Sequence, residues 1–337
     1  FCRDEPTFGR HEGQRRRRAW ILQTYLWLRR FGYDVRISAT LPVEGLVVLL
    51  PEAPILEAFH AQYATAHRAL LIVTIRADIL GYRSLVGDVD ITQNGRFADE
   101  TRTFFVPHWL QPGLRPRAAD RGTTIENVVF KGGFGSLLEE FRSPEWRAGL
   151  DRRGLHFHIA SAATEGDIPT WYDYETADLN LAVRPSFGDG GLRCEKPASK
   201  LVNAWHAGVP SLLGREYAFR ELRESELDYL EVTTVSEALA AIDRLLESPS
   251  LYRRMVRRAR HRALDFTPRK IAERWAEVLF EKAPRIAHRR SFQWSRSLPL
   301  GPRRAVNFAF APPTPYELRK RVGQALRAVR ADRSNAR

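Results

Sequence analysis

The chain has 337 residues, 44% of them hydrophobic. This length is enough for two hydrophobic cores and exceeds one ordinary domain, so we expect two domains. The two cysteines, Cys2 and Cys194, exclude a disulfide framework and a cysteine-based zinc site, and they suit a reducing cytosol. No apolar run approaches the ~18 residues that a membrane-spanning helix needs. We therefore expect a soluble, cytoplasmic protein.

The formal net charge of +13 is concentrated near the carboxyl end. Residues 285–337 contain 13 Lys or Arg and only two acids, Glu317 and Asp332. The rest of the chain is close to neutral, so the charge points to a basic appendage and not to a polyanion-binding fold. Only six of the 53 basic residues are lysines, so a lysine is a rare choice in this chain.

The first hundred residues predict one helix followed by alternating strands and helices. An apolar stripe at helical spacing covers residues 14–31 and ends at Gly32. A helical segment at residues 53–69 then separates the second and third of five β-rich runs. These runs are YDVRISA, GLVVLL, ALLIVTIRA, VDITQN and TFFVPHW. The alternation predicts a parallel sheet covered on both faces.

Residues 108–126 interrupt this pattern with prolines, glycines and many charges, which predicts an interdomain linker. The alternation then restarts. Strands are predicted at ENVVFKG, LHFHIAS, DLNLAVRP, PSLLG and LEVTT, and helices at SLLEEFRSPEWRAGL, SKLVNAWHAG, 235–247, 251–265 and 268–282. We therefore assign domains to residues 1–110 and 127–284, a linker to 111–126 and a basic extension to 285–337. In such α/β sheets, ligands bind at the carboxyl ends of the strands.

The clearest chemical signal is residues 194–214, CEKPASKLVNAWHAGVPSLLG. A strand leads into a glycine-containing loop and then into a helix that begins near Pro197 or Ser199. A helix amino end offers N–H groups and a partial positive charge that suit a phosphate, and nearby lysines add charge. The alternative is a surface helix with solvated lysines; the scarcity of lysine favours the phosphate site. Its candidate residues are Arg184, Gly190, Gly191, Lys196, Ser199, Lys200 and Asn203.

A second glycine-rich turn, KGGFGS, follows the first predicted strand of the same domain. Its backbone amides are expected to face the same crevice. The spacing fits neither the dinucleotide fingerprint nor a Walker A loop. Together with residues 194–214, this turn favours a diphosphate over a single phosphate. Its candidate residues are Lys131, Gly132, Gly133 and Gly135.

Residues 177–214 resemble the donor-site segment of GT-B glycosyltransferases. In the large retaining group, a strand ending in Pro-Ser is followed by Glu, seven residues, Glu, and a helix ending in Gly-x-Pro. Aligning Gly208 and Pro210 with this pattern places the first acid at Glu195, but the second position is Asn203. The resemblance thus implies that Glu195 contacts the donor sugar or the neighbourhood of its phosphate, while the ribose-binding carboxylate is missing.

The same resemblance implies a fold and an activity. The fold would be two Rossmann-like domains whose parallel sheets face each other across a cleft. The activity would be transfer of a sugar from a nucleotide-diphosphate sugar, the co-substrate, to a hydroxyl on a glycan, lipid-linked or small acceptor, with no further cofactor. Because the Glu195-Lys196 pair is also similar to the acid-lysine pair of inverting fucosyltransferases, the stereochemical outcome stays open.

The amino-terminal domain would hold the acceptor. Its opening loop, TFGRHEGQ, stands where inverting GT-B members place a histidine base. His11 is therefore a candidate for deprotonating the acceptor, because an imidazole titrates near neutral pH. An exposed histidine in a basic segment explains the same residue equally well.

Two weaker patterns concern metals. Asp88-Val89-Asp90 matches the D-x-D metal motif of the other large glycosyltransferase fold, but it opens a predicted strand, which favours a structural role. His156 and His158 alternate on a strand that we expect to be buried, and no further ligand stands at metal-binding spacing. We therefore expect no bound metal.

The basic extension supports two hypotheses. An amphipathic helix near its end would make peripheral contact with a membrane, whereas residues 285–312 would brace the first domain through Trp294, Phe308 and Phe310. An alternative function for the whole chain is a non-catalytic protein that binds a polyanion or nucleic acid through this extension. It ranks below the enzyme because no RNA- or DNA-reading motif is present, so nucleic acid is not an expected partner.

Overall fold

The computed structural model divides into two compact units, each formed by two pieces of chain. Unit 1 comprises Phe1–Arg36 and Pro107–Arg274, and unit 2 comprises Ile37–Val106 and Trp275–Arg337. The structure describes residues 18–50, 70–76, 87–165, 170–185, 196–289, 293–294, 297–299, 301–303 and 305–306. In this division the first helix, which we assigned to residues 1–110, groups with the second sheet.

Unit 2 contains a four-stranded parallel sheet of order β1-β2-β3-β4. Its strands are β1 (Gly45–Leu49), β2 (Leu70–Ile75), β3 (Val89–Thr92) and β4 (Thr103–Phe105). Every residue of β2 and β3 is buried, as expected of parallel strands covered on both faces. The predicted parallel α/β architecture is therefore confirmed for this unit.

The additional strand predicted at YDVRISA is wrong. Residues 33–39 form no strand, and the side chain of Ile37 is 52% exposed. Within the described parts of the chain, this alternation of apolar and polar residues pairs with no strand. Pattern alone does not make a strand, since β preference depends on a surface to bury against.

Unit 1 contains a five-stranded parallel sheet of order β6-β5-β7-β8-β9. The strands are β5 (Asn127–Lys131), β6 (His156–Ala160), β7 (Leu179–Ala182), β8 (Ser211–Leu213) and β9 (Leu230–Glu231). The chain runs from β5 out to the edge strand β6 and returns to β7 on the other side of β5. The order therefore reverses between β5 and β7, and such reversals place ligand crevices at the strands' carboxyl ends.

Helices complete the two units. They are α1 (Gln23–Arg30), α2 (Pro144–Asp151), α3 (Ala162–Glu165), α4 (Ser199–Ala207), α5 (Tyr217–Arg220), α6 (Val235–Glu247), α7 (Pro249–Ala263), α8 (Pro268–Ala276) and α9 (Ala283–Ala287). Turns of π-helix precede α1 (Arg18–Leu22) and α9 (Glu277–Lys282). Short 3-10 turns are Gly95–Phe97, Ala119–Arg121, Phe134–Ser136, Glu139–Arg142 and Leu264–Phe266. No helix in the described parts of the chain has the length and apolar character of a membrane span.

The single helix predicted over SLLEEFRSPEWRAGL is divided in two. A 3-10 turn ends at Arg142, and α2 begins at Pro144. The hydroxyl of Ser143 accepts a hydrogen bond from the N–H of Trp146 at 3.2 Å, which caps the new helix. A serine cap followed by proline starts a helix more readily than it continues one.

The predicted linker belongs to unit 1 and packs closely against α1. The indole N–H of Trp109 donates to the Thr24 hydroxyl at 2.8 Å, and Trp109 stacks with Trp27 at 5.9 Å between ring centroids. The amide of Gln23 donates to the carbonyl of Leu110 at 2.9 Å. This segment is therefore fixed to α1 and is no loose connection.

A buried carboxylate fixes the rest of the linker segment. Asp178, immediately before β7, is fully buried and accepts hydrogen bonds from the guanidinium groups of Arg117 and Arg121. It also accepts from the backbone N–H groups of Glu126 and Asn127, both at 2.9 Å. The linker is thereby tied to the amino ends of β5 and β7.

The expectation that His156 and His158 lie on a buried strand is wrong. Both histidines are exposed because β6 is the edge of its sheet and turns this face to solvent. The Nε2 atom of His158 lies 3.1 Å from Oδ1 of Asn127. Partial loss of contact with water, together with the charges of His156 and Lys131, lowers the pKa of the exposed His158, and Glu165 opposes this shift.

In unit 2, residues of the predicted basic extension contact the first sheet. Arg303 is fully buried and forms an ion pair with Asp88 at 2.5 Å. Trp294, by contrast, is 56% exposed, so its predicted role as a packed anchor is wrong. Phe308 and Phe310 lie outside the described residues, as does the predicted terminal helix.

Candidate functional site

The candidate site lies where β5 and β7 end, at the reversal of strand order in unit 1. Strand β5 ends at Lys131 and continues into the glycine-rich turn, while β7 ends at Ala182, two residues before Arg184. Helix α4 begins at Ser199, and residues 186–195, which precede it, lie outside the described parts. The two glycine-containing segments singled out in the sequence thus follow neighbouring strands.

Lys200 points from the first turn of α4 into the end of β5. Its ammonium group donates a hydrogen bond to the backbone carbonyl of Lys131 and lies 4.3 Å from the centroid of the Phe130 ring. The residue is only 8% exposed. The rare lysine is therefore buried at the glycine-rich turn and is not a solvated surface group.

Gly132 makes this approach possible. A Cβ atom at position 132 would collide with Nζ of Lys200, so a side chain there would displace the ammonium group. A Cβ atom at Gly135 would meet nothing within 4 Å, and one at Gly133 would make an ordinary contact with the hydroxyl of Ser136. Of the three predicted glycines, the structure gives Gly132 the close contact.

The surroundings of Lys200 are strongly charged. Arg184 forms a buried ion pair with Glu216 at 2.5 Å. Burial lowers the pKa of Lys200 well below its ordinary value; Arg184 and Lys196 lower it further, and Glu216 opposes them. Because burial and nearby cations disfavour the charged form of Lys200, an anion bound at this corner would stabilise that form.

Glu216 is the buried charged residue that sequence reasoning missed. It follows β8 in the sequence GREY and is 2% exposed. No motif marked it. The signal that could have found it is its place after a predicted strand of the same sheet, because neighbouring parallel strands bring their carboxyl ends to one edge.

The side chain of Lys131 is engaged away from Lys200. Its ammonium group donates to the carbonyl of Thr170 at 2.9 Å and lies 5.4 Å from the centroid of the Tyr174 ring. Burial lowers the pKa of Lys131, while Glu165 and Asp173 act in the opposite direction. The backbone of Lys131, more than its charge, therefore takes part in the contact with Lys200.

The remaining described candidates lie on or just before α4. Lys196 is half-buried, and Ser199 is the first residue of the helix. Asn203 is 9% exposed, and its side-chain oxygen accepts a hydrogen bond from the N–H of Gln111 at 3.1 Å. This bond fixes α4 to the linker segment. His11, Gly190, Gly191 and Glu195 lie outside the described residues, and their roles stay predictions.

Asp88 and Asp90 of the D-x-D pattern both bond to other residues of unit 2. Asp88 accepts a hydrogen bond from the N–H of Ile72 at 2.8 Å as well as pairing with Arg303. Asp90 accepts one from the Thr74 hydroxyl. The described residues contain no group of three or more His, Cys, Asp or Glu side chains placed to hold a metal ion.

Among known proteins, the chain showed similarity to solved structures alone. No protein-family model and no curated protein sequence matches the chain. A glycosyltransferase from Rickettsia africae is similar with a TM-score of 0.51 and 10% identity, over 79% of this chain and 80% of that one. HepE from Anabaena, in complex with UDP and glucose, is similar with a TM-score of 0.51 and 13% identity, over 77% and 81%.

A third solved structure is the pneumococcal O-GlcNAc transferase GtfA in complex with UDP and GlcNAc. The likeness has a TM-score of 0.50 and 13% identity, and it covers 72% of this chain but only 57% of that one. At such identities the likeness defines the fold. With its two parallel sheets, the chain has the GT-B fold.

Proposed function

We propose that this chain is a glycosyltransferase that moves a sugar from a nucleotide-diphosphate sugar to a hydroxyl acceptor. The observation that carries the proposal is the buried ammonium group of Lys200, held at the glycine-rich turn where the strand order of unit 1 reverses. Two of the similar solved structures contain UDP and a sugar, which supports a nucleotide-diphosphate sugar as the ligand.

The proposed chemistry is stabilisation of a leaving group. When the bond between the sugar carbon and the diphosphate oxygen breaks, negative charge develops on that oxygen. Lys200, Lys196 and the amino end of α4 would stabilise this charge, and a preorganised cation in a water-poor site is effective because it needs little reorganisation. Glu216 holds Arg184 in place through their ion pair, so Arg184 is fixed near the same anion.

The remaining parts of the proposal concern the acceptor and the metal. The acceptor would be a glycan or a lipid-linked molecule, with His11 as the base that takes its proton. Glu195 would act at the donor sugar. Charge stabilisation by lysines would make a divalent cation unnecessary, so we expect turnover to survive chelation by EDTA.

The test is nucleotide binding by the Lys200→Met variant. Methionine fills a similar volume without charge, and loss of a hydrogen bond to a charged group costs about 1.5–3 kcal/mol, or roughly 10- to 150-fold in affinity. Calorimetry with UDP, GDP and ADP would measure the change. Lys270→Met is the matched control, because Lys270 is a half-exposed lysine of the same unit that pairs with Asp265.

Equal affinities of wild type and Lys200→Met for every diphosphate that binds would overturn the proposed site. Absence of binding by the wild-type chain to all of these nucleotides would overturn the proposed function. Melting curves of both variants check that the substitution has left the fold intact.

A further inference from the structure

Helix α7 carries a basic face that the near-neutral charge of the chain body conceals. Its sequence, PSLYRRMVRRARHRA, contains six arginines and one histidine and no acid. Arginines of an ordinary surface helix are balanced by carboxylates on the same or neighbouring elements. On α7 this balance holds for one side only.

The inward arginines of α7 are paired. Arg258 forms an ion pair with Asp228 at 2.7 Å and with Glu224 at 2.8 Å. Arg262 is buried, pairs with Glu224 and lies 5.0 Å from the centroid of the Trp205 ring. These two side chains hold the helix against the rest of unit 1.

The outward basic residues are different. Arg253, Arg254, Arg257, Arg260 and His261 are all exposed. Within the described residues, Arg253, Arg254 and Arg257 form no ion pair, whereas Arg260 lies along the end of α4 near Gly208. At about 100° per residue, all five basic side chains fall within an arc of roughly 120° of the helix surface.

An apolar side chain stands in the middle of this arc. Leu264 follows α7 directly and is 58% exposed. By the same helical geometry, its angle about the helix axis falls between the angles of Arg253 and Arg257. The neighbouring Asp265 does not cancel the charge of the face, because it is paired with Arg262 at 3.7 Å and with Lys270 at 3.3 Å. The face thus combines cations with one exposed leucine.

We propose that this face of α7 binds a membrane surface that contains anionic lipids. Guanidinium groups bind phosphate oxygens in a two-pronged geometry, and their long apolar stems tolerate the region of the lipid headgroups. Leu264 would enter the boundary of the acyl chains. A nucleic acid fits less well, because it offers no apolar partner to Leu264 and the arc has no aromatic side chain for base stacking.

This surface contact is expected to be weak and reversible. Each arginine near an anionic leaflet contributes about fivefold to partitioning, so loss of three arginines should weaken binding by roughly 100-fold. Binding should also fall as salt rises, since exposed charges are screened. The inference does not depend on the proposed enzymatic function.

The experiment is sedimentation of the full chain with phosphatidylcholine vesicles, prepared with and without phosphatidylglycerol. The test variant combines Arg253→Gln, Arg254→Gln and Arg257→Gln. The matched control combines Arg36→Gln, Arg147→Gln and Arg152→Gln, which removes the same charge from scattered exposed positions of unit 1. Both variants keep the basic extension, and melting curves establish that both are folded.

We expect wild type and control to bind the anionic vesicles alike, and the test variant to bind about 100-fold more weakly. Leu264→Ser should weaken binding severalfold. Vesicle binding that is equal in test variant and control would assign membrane contact to another part of the chain and overturn the proposal. The proposal would also be overturned if wild type did not bind the vesicles, or if the α7 arginines were needed for single-stranded RNA binding but not for vesicle binding.

Discussion

Replacing Asp178 by alanine tests whether one buried carboxylate holds the linker segment to the second sheet. The carboxylate accepts hydrogen bonds of 2.7–3.0 Å from Arg117, Arg121 and two backbone N–H groups. The Arg117 side chain is only 6% exposed, so the variant would leave its charge buried without a counterion. Breaking a buried pair in this way costs about 3–5 kcal/mol, and we expect the free energy of unfolding to fall by that amount.

The effect should depend on pH with a defined sign. Burial alone would raise the pKa of Asp178, but hydrogen bonds from Arg121, from the two backbone N–H groups and from Arg117 outweigh it and hold the pKa below its ordinary value. The unfolded chain therefore takes up the proton first as the pH falls. The contribution of Asp178 is complete above its ordinary pKa and is lost as the pH drops through the lowered one, so the variant and wild type converge in acid.

Urea unfolding followed by tryptophan fluorescence measures this difference, because six of the eight tryptophans belong to unit 1. The control is Asp243→Ala, which breaks the more exposed pair with Arg153 and should cost at most about 1 kcal/mol. If both variants lose similar stability at neutral pH, or if the loss at Asp178 persists unchanged in acid, the reasoning about this carboxylate is refuted.

Three further predictions concern the site and unit 2. Gly132→Ala should weaken diphosphate binding by roughly 10-fold or more by displacing the ammonium group of Lys200, and calorimetry should show Gly135→Ala unchanged, because its new methyl group meets nothing. Diphosphate affinity should fall by up to about tenfold per pH unit above the lowered pKa of free Lys200, since the anion favours the charged amine; a flat profile in titrations from neutral to alkaline pH would contradict this. Arg303→Ala should lower the melting temperature of unit 2 through a loss of about 3–5 kcal/mol, because Asp88 would stay buried without its partner; an unchanged melting curve would argue against that pair.

The strands of both sheets were predictable because buried parallel strands are continuous apolar runs bounded by turns. Leu70–Ile75 and Leu179–Ala182 are examples in which every residue is buried. The prediction failed where burial depends on a neighbour that the local sequence does not specify. Residues 33–39 have a strand-like pattern but pair with no strand in the described parts of the chain, and β6 is an edge strand whose histidines face solvent.

The candidate site was predictable in part, because glycine-rich turns after strands and a rare lysine at a helix start are local signals. The sequence could not show that the Lys131 side chain turns away while its carbonyl accepts a hydrogen bond from Lys200. Nor could it show Glu216, which a separate strand brings to the site. The basic face of α7 could not be predicted for a related reason. The number of charges in a sequence does not show which arginines form ion pairs with acids in the folded chain.

The division of the chain has a consequence for its synthesis. Along the sequence, strands β1–β4 come between the two chain segments of unit 1. Unit 2 is completed by residues that follow Arg274, including the buried Arg303. On the ribosome, α1 emerges long before the Trp109 and Leu110 groups that hold it. Neither unit can finish folding until translation has passed its second segment, so a nascent chain stopped near Val106 would expose apolar faces of both and be a natural client for chaperones.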